Sequence, residues 1–261
     1  MKSHRQLIGS IIALTLSHLA LANESPRPQP SPQDKTHQDM AKTSQDKMPA
    51  MDMGDKHEMV MPFFTHMGMP EPLGSHSLSF SGLSTSAGGR SINDVSFQYM
   101  CGLSDRLGVN FRSDEFTTGN EAEVMFQYAA IRSMDGMSGI CPMLEIEFPT
   151  KRSGSGIKTV VGFSAALDQK NGTFDGAFHY NTFERKFEGS VAYVSRANQG
   201  FYPVVELIGS AELREMPTLD ILAGSKFKTG KNSMVGLAYQ SPISSRKDFG
   251  SRFILQFDFR W

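Results

Sequence analysis

From Phe249 to Trp261 the chain alternates with a period of two. Phe249, Ser251, Phe253, Leu255, Phe257, Phe259 and Trp261 fall on one face; Gly250, Arg252, Ile254, Gln256, Asp258 and Arg260 fall on the other. A β-strand points successive side chains to opposite sides, so this is a strand with an aromatic face and a mainly polar face. The pattern recurs upstream. Ile157, Thr159, Val161, Phe163, Ala165 and Leu167 share a face, as do Val124, Phe126, Tyr128 and Ala130, then Phe174, Gly176, Phe178 and Tyr180, then Phe187, Val191 and Tyr193. The opposite faces carry Arg112, Glu123, Glu145, Glu147, Lys158, Asp175, His179, Glu188, Glu206, Asp220, Lys226, Arg252, Asp258 and Arg260. Such a chain has two solutions. A soluble sandwich or barrel turns the apolar faces inward, and a membrane barrel turns them outward to lipid. Parity alone does not separate the two.

Strand and turn signals divide residues 76–261 into twelve strands, approximately 76–83, 91–102, 106–113, 121–131, 139–148, 156–167, 172–182, 186–196, 201–210, 218–228, 232–241 and 249–261. Most approach the roughly 9–11 residues that a tilted strand needs to cross a bilayer, and an even number returns both chain ends to one side. That side is expected to be periplasmic. The connections 102–105, 133–137, 168–172, 196–200 and 228–232 are then the periplasmic turns. STSAGGR (84–90), RSDEFTTGNE (112–121), PTKRSGSG (149–156), SAELREMP (210–217) and SPISSRKDFG (241–250) are expected as longer outer loops. The short link from Thr182 to Lys186 is the exception.

The N-terminal residues favour the membrane solution. Lys2 and Arg5 precede an apolar run from Leu7 to Leu16, and Ala20-Leu21-Ala22 forms a small-residue cleavage site, so residues 1–22 are expected to be an export signal. No later apolar stretch approaches the roughly 20 residues of a spanning helix. Residues 23–50 are rich in Pro, Gln, Asp, Lys and Ser and are expected to be a disordered linker. With 26 basic and 27 acidic residues, the charge balance gives no hint of nucleic-acid binding. The fold class expected is therefore all-β: a transmembrane antiparallel up-and-down β-barrel of about twelve strands over 76–261, preceded by a disordered Met/His-rich segment, in the outer membrane. Its partners would be outer-membrane lipid, the barrel-assembly machinery, and a metal ion or small-molecule solute.

The segment before the barrel, 51–75, carries a second signal. Eight methionines lie between Met40 and Met69. Thioether sulfur is soft and neutral and suits Cu(I) or Ag(I), and imidazole suits copper in either oxidation state. Met51, Met53, His57, Met59, Met61, His66, Met67 and Met69 are the candidate metal ligands, with copper, as Cu(I), the expected cofactor. The alternative is that these methionines fill an apolar gap or make a plug contact. Phe63, Phe64 and the run Pro70 to Gly74 are candidates to dock the segment at the barrel mouth.

Inside the barrel, Glu145 and Glu147 project one way, as do Asp175 and His179. Such groups line either a cation-selective pore or a salt-bridged interior that does not conduct. No Ser–His or Asp–His pair stands out at a rim, and no phosphate-loop spacing occurs, so no catalytic residues are assigned and the chain is not expected to be an enzyme. By parity Cys101 faces outward and Cys141 inward. A disulfide between them needs an irregular rim, and two lone thiols is the other possibility.

The closing strand, ending on an aromatic residue, resembles the last strand of bacterial outer-membrane barrels. HMGMPEPLGSHSL (66–78), EVMFQYAAIRSMDGMSG (123–139), EIEFPTK (145–151), TVVGFSAAL (159–167), FYPVVEL (201–207), ILAGSKFK (221–228) and KDFGSRFILQFDFRW (247–261) resemble a family of Gram-negative outer-membrane barrels. That family is distantly related to the outer-membrane channels linked to phenol degradation pathways. The resemblance covers most of the barrel and implies a transport-like role with a poorly defined substrate. The Met-rich leader is similar in style to the copper-resistance outer-membrane B proteins, whose barrel this one does not match. Three functions stay open: a barrel that captures copper or silver and aids metal resistance or efflux, a channel for small organic or apolar molecules, and a non-conducting structural barrel.

Overall fold

A computed structural model describes residues 59–113, 121–150, 156–212 and 215–261. The expected export signal and linker lie outside the described residues. Twelve long antiparallel strands and one two-residue strand follow in chain order: β1 (His76–Ala87), β2 (Arg90–Gly102), β3 (Leu107–Ser113), β4 (Glu121–Tyr128), β5 (Ile131–Arg132), β6 (Gly139–Pro149), β7 (Lys158–Gln169), β8 (Gly172–Asn181), β9 (Lys186–Ser195), β10 (Phe201–Glu212), β11 (Thr218–Gly230), β12 (Ser233–Pro242) and β13 (Ser251–Arg260). β5 continues the line of β4 along β6, past a break at Ala129 and Ala130.

The sheet closes on itself. Each long strand pairs with the long strands before and after it in the chain, β4 pairing with β6, and β1 pairs with β13 from Ser77↔Arg260 to Ser86↔Ser251. Closure removes the unpaired strand edge that would otherwise recruit another chain. His76 and Trp261 exchange backbone hydrogen bonds of 2.9 and 3.0 Å, so the start of β1 and the end of the chain share one rim, here the terminal rim.

The alternation resolves as the membrane solution requires. Phe163 (51% exposed), Leu167, Val191, Phe253, Phe257 and Phe259 point outward. Ser79, Gln127, Lys158, Asp175, Glu206, Lys226, Gln256 and Asp258 point inward and are buried. An outside of Phe, Leu and Val around a polar interior suits lipid and not water. Aromatic rings mark both ends. Tyr99 and Trp261 flank the His76 ring at the terminal rim, with ring centroids 6.0 and 5.8 Å away. Tyr239 meets Phe253 and Tyr180 meets Phe187 toward the far rim. Aromatic side chains of this kind favour the headgroup level of a bilayer.

Three of the far-rim connections, β1–β2, β10–β11 and β12–β13, are shorter than the sequence leads one to expect. Ser84 to Ala87 belong to β1, and Ala87 pairs with Arg90 across a two-residue turn. Gly88 and Gly89 there have φ of 55° and 76°, the left-handed pair that a tight hairpin demands. Small polar residues on the part of the strand above the bilayer look like loop, because the apolar alternation stops where lipid stops. Residues 210–212 and 241–242 are strand for the same reason.

Candidate functional site

The described part of the Met/His-rich segment does not stand in front of the barrel. Residues 59–73 pass through the lumen, and Val60, Met61, Phe63, Thr65, His66, Met67, Met69 and Glu71 are buried there. The sequence offers no apolar core for these residues. The closed barrel creates one, since its lumen must be filled by side chains, water or a segment of chain.

Pro62, Pro70 and Pro72 lack the N–H that a ladder bond needs, which disfavours a continuous strand here, and the segment touches the sheet ladder only at the single bridge Leu73–Gly102 among the described residues. Its buried backbone groups still require partners, and the wall supplies them. The Glu206 carboxylate, fully buried on β10, accepts from the Phe63 and Phe64 amides, from the Thr65 amide at 2.8 Å and from the Thr65 hydroxyl at 2.9 Å. Asp175 on β8 accepts from the Gly68 amide at 2.8 Å. Gln127 on β4 donates to the Met67 carbonyl at 2.7 Å, and the Ser164 hydroxyl on β7 donates to the Gly68 carbonyl at 3.2 Å. Lys226, fully buried on β11, donates to the Pro62 carbonyl at 3.2 Å and pairs with Asp258 at 2.6 Å. Arg260 on β13 holds the Met59 carbonyl at 3.3 Å and Glu71 at 2.7 Å. Gly68 lies so close to the Ala165–Ala166 backbone that a Cβ would overlap it.

Apolar contacts complete the plug. Val60 and Phe63 join a cluster with Leu83, Val204, Leu222 and Ile254. Met61 and Met67 pack with Met100 of β2, with Met59 beside them. Met69 sits with Ala129, Cys141 and Ala166, its sulfur 3.7 Å from the Cys141 thiol. Cys101 and Cys141 are both free thiols. Of the candidate ligands, Met51, Met53 and His57 lie outside the described residues. Met59, Met61 and Met67 come together, Met69 is apart with Cys141, and His66 is apart from all of them.

His66 meets wall residues that no local pattern of the chain joins to it. Its ring lies 4.7 Å from that of His179 on β8, Arg112 of β3 donates to its Nε2 at 2.9 Å, and Glu145 of β6 is close by. Burial pushes the His66 pKa well below its ordinary value, with the Arg112 guanidinium and then His179 adding to the effect. The ring is therefore neutral at neutral pH.

Above the plug, toward the far rim, a cavity of about 410 Å³ is lined by Phe64 and His66 and by a charged wall. Eight carboxylates (Glu121, Glu123, Glu145, Glu147, Glu184, Glu188, Asp220 and Asp248) face four cationic side chains (Arg112, Lys158, Lys186 and Arg252). Lys158 bridges Glu121, Glu147 and Glu184 within 3.5 Å. Below the plug, a second cavity of about 260 Å³ is lined by Met59, Met61, Glu71, Arg260 and Trp261. The plug thus lies between two cavities. The acid excess of the upper one makes its potential negative and favours cations. Inward parity marks the wall anchors in the sequence, but nothing there couples them to a segment more than a hundred residues away.

No protein-family model matches the chain, and no curated protein sequence matches it. Solved structures share its fold. An outer membrane channel from Pseudomonas putida F1 is similar with a TM-score of 0.55 at 9% identity, over 78% of this chain and 100% of the other. The KdgM porin is similar with a TM-score of 0.55 at 10% identity, over 70% and 98%. The NanC porin gives 0.52 at 11% identity, over 69% and 97%. The fold of this chain is that of outer-membrane channel and porin barrels.

Proposed function

We propose that this chain is a channel of the bacterial outer membrane, exported by its N-terminal signal, with both ends on the periplasmic side and its lumen closed at rest by residues 59–73. It passes small polar solutes and prefers cations. The observation that carries the reading is the way the plug is held. It is anchored largely by hydrogen bonds between its backbone and wall side chains, contacts that water can replace when the segment leaves. A wall built only to be filled would need no such open vestibule with eight carboxylates. The neighbouring folds belong to channels and porins, which agrees with transport and carries no substrate over to this chain.

The test is reversal potential in planar bilayers under a KCl gradient, on the native chain and on a chain lacking residues 59–72. The shortened chain should conduct steadily and select K⁺ over Cl⁻, and the native chain should conduct rarely. Anion selectivity would overturn the cation preference. A shortened chain that forms the barrel and passes no current would leave the structural-barrel alternative.

A second reading is favoured by one observation: Met59, Met61 and Met67 gather with Met100 in a methionine-only cluster. Thioethers grouped in this way suit Cu(I) or Ag(I). In this reading the segment captures the soft ion in the periplasm and supports metal resistance. Titration of Cu(I) against a chromogenic chelator tests it, with Met61→Leu and Met67→Leu expected to weaken binding. Unchanged binding in both would reduce the methionines to packing.

A further inference from the structure

Three buried donors converge where the plug meets the wall. His66 comes from the plug, Glu145 from β6 and His179 from β8, and their ligand atoms lie within 4.8 Å of one another. The His179 Nδ1 and a Glu145 oxygen are 3.9 Å apart. This is the one such group of His, Cys, Asp or Glu among the described residues. All three residues are less than 9% exposed. We propose that His66, Glu145 and His179 form a site for one divalent transition-metal ion of intermediate softness, such as Zn(II), and that the ion ties the plug to the wall.

The donor chemistry is two imidazoles and one carboxylate, a set that holds Zn(II) with a fourth position left for water. Metal–nitrogen and metal–oxygen bonds of about 2.1 Å put tetrahedral ligands about 3.4 Å apart, so the three donors must close by little more than an ångström. Rotation of the His66 ring on the irregular plug backbone, with a turn of the Glu145 carboxylate by about half an ångström toward His179, supplies that movement without disturbing a strand. The cavity above opens onto the same three residues, which gives an entry path and a water for the fourth position. Its carboxylate excess raises the local concentration of cations.

One neighbour opposes the ion. Arg112 donates to His66 and lies 3.7 Å from Glu123 on β4. A bound cation competes with the guanidinium for the imidazole, and their charges repel. Arg112 then has to turn toward Glu123. The site does not match the soft methionine cluster: it uses different donors and takes a different class of ion. It does not depend on the channel reading either, because it is detected by metal binding in detergent without any flux.

Co(II) is the probe, added to the purified full chain in detergent, with visible d–d absorption as the readout and Zn(II) as competitor. The native chain should bind one Co(II) with an absorbing, low-coordinate spectrum that Zn(II) displaces. His179→Gln and Glu145→Gln should each weaken this binding at least tenfold, and the double variant His37→Gln/His57→Gln should retain it. Arg112→Gln keeps all three ligands and should tighten binding at least threefold. That variant decides the matter if a ligand variant fails to form the barrel. A spectrum retained in His179→Gln, a spectrum lost in the His37/His57 variant, or an unchanged affinity in Arg112→Gln overturns the proposal.

Discussion

Glu206→Gln is the substitution that probes the plug most directly. The carboxylate is fully buried and accepts from three consecutive backbone amides and the Thr65 hydroxyl. Glutamine has nearly the same shape, so packing with Phe63 and Val204 is retained. What changes is donor and acceptor chemistry. One oxygen becomes an amide that can only donate, and it faces either the Thr65 amide or the Phe63 amide, which also only donate. The Thr65 hydroxyl can rotate and accept, but a backbone N–H cannot. A buried donor left without a partner costs about 1–3 kcal/mol. The remaining bonds lose their charge-assisted part, and such bonds are about twice as strong as neutral ones. Loss of the buried charge returns some desolvation energy. The balance is about 3 kcal/mol against the docked plug, roughly a hundredfold change in the ratio of docked to released chain.

The assay is single-channel recording of the native chain, Glu206→Gln, and a control, Glu212→Gln at the far rim. Open probability should rise by about two orders of magnitude in the first variant and stay near native in the control. The heat-modifiable gel shift shows whether the barrel has formed. If Glu206→Gln forms the barrel and keeps the native open probability while the chain lacking 59–72 conducts, Glu206 is not what holds the plug, and the argument from its four donors fails.

Gly68→Ala places a methyl group into the Ala165–Ala166 backbone, which cannot yield without breaking its pairing with Asp175 and Gly176, so the plug should shift and leak current should rise; a native leak rate would refute the tight approach. Lys226→Met strands the Asp258 carboxylate, buried and still accepting from Ser79 and Gln256, and should lower barrel stability by about 3–5 kcal/mol in urea titrations; adding Asp258→Asn should recover part of the loss, and strict additivity would refute the pairing. Cys101 and Cys141 are free, so unreduced denatured protein should give two thiols per chain with Ellman's reagent, and none would point to the disulfide.

The wall was largely legible in the sequence and the plug was not, for a physical reason. A strand writes its structure locally: Val161, Phe163 and Leu167 face lipid because lipid selects every second residue. Twelve such runs, with their parity, put Lys158, Glu206 and Asp258 on one face of the sheet, and the membrane reading turns that face inward. Residues 59–73 have no period, because the surface they fit is irregular and assembled from strands far away in the chain. Met67 belongs with Met100 and Met69 with Cys141, pairings that no local spacing encodes. His66 with Glu145 and His179 is the same case, since parity turns the two wall residues inward and says nothing of what reaches them.

The methionine run shows how a compositional signal can carry two meanings. In a soluble protein a flexible, Pro-broken stretch has nothing to pack against, and eight methionines point to metal. A membrane barrel reverses the usual arrangement. Its best apolar residues are spent on lipid, and its lumen holds Ser77, Ser79, Gln127, Asn110 and Gln256 beside small apolar patches at Leu222, Val204 and Ala129. A segment that fills such a space needs side chains that bend to fit scattered apolar surfaces, and methionine, unbranched and with three rotatable bonds, does this best. It also needs a backbone free to hydrogen-bond outward, and Pro62, Pro70 and Pro72 favour this by removing N–H groups that a ladder would use. Filling the lumen and holding a metal therefore draw on the same residues. They separate experimentally at His66, the residue of the plug that lies against an imidazole, a carboxylate and a guanidinium.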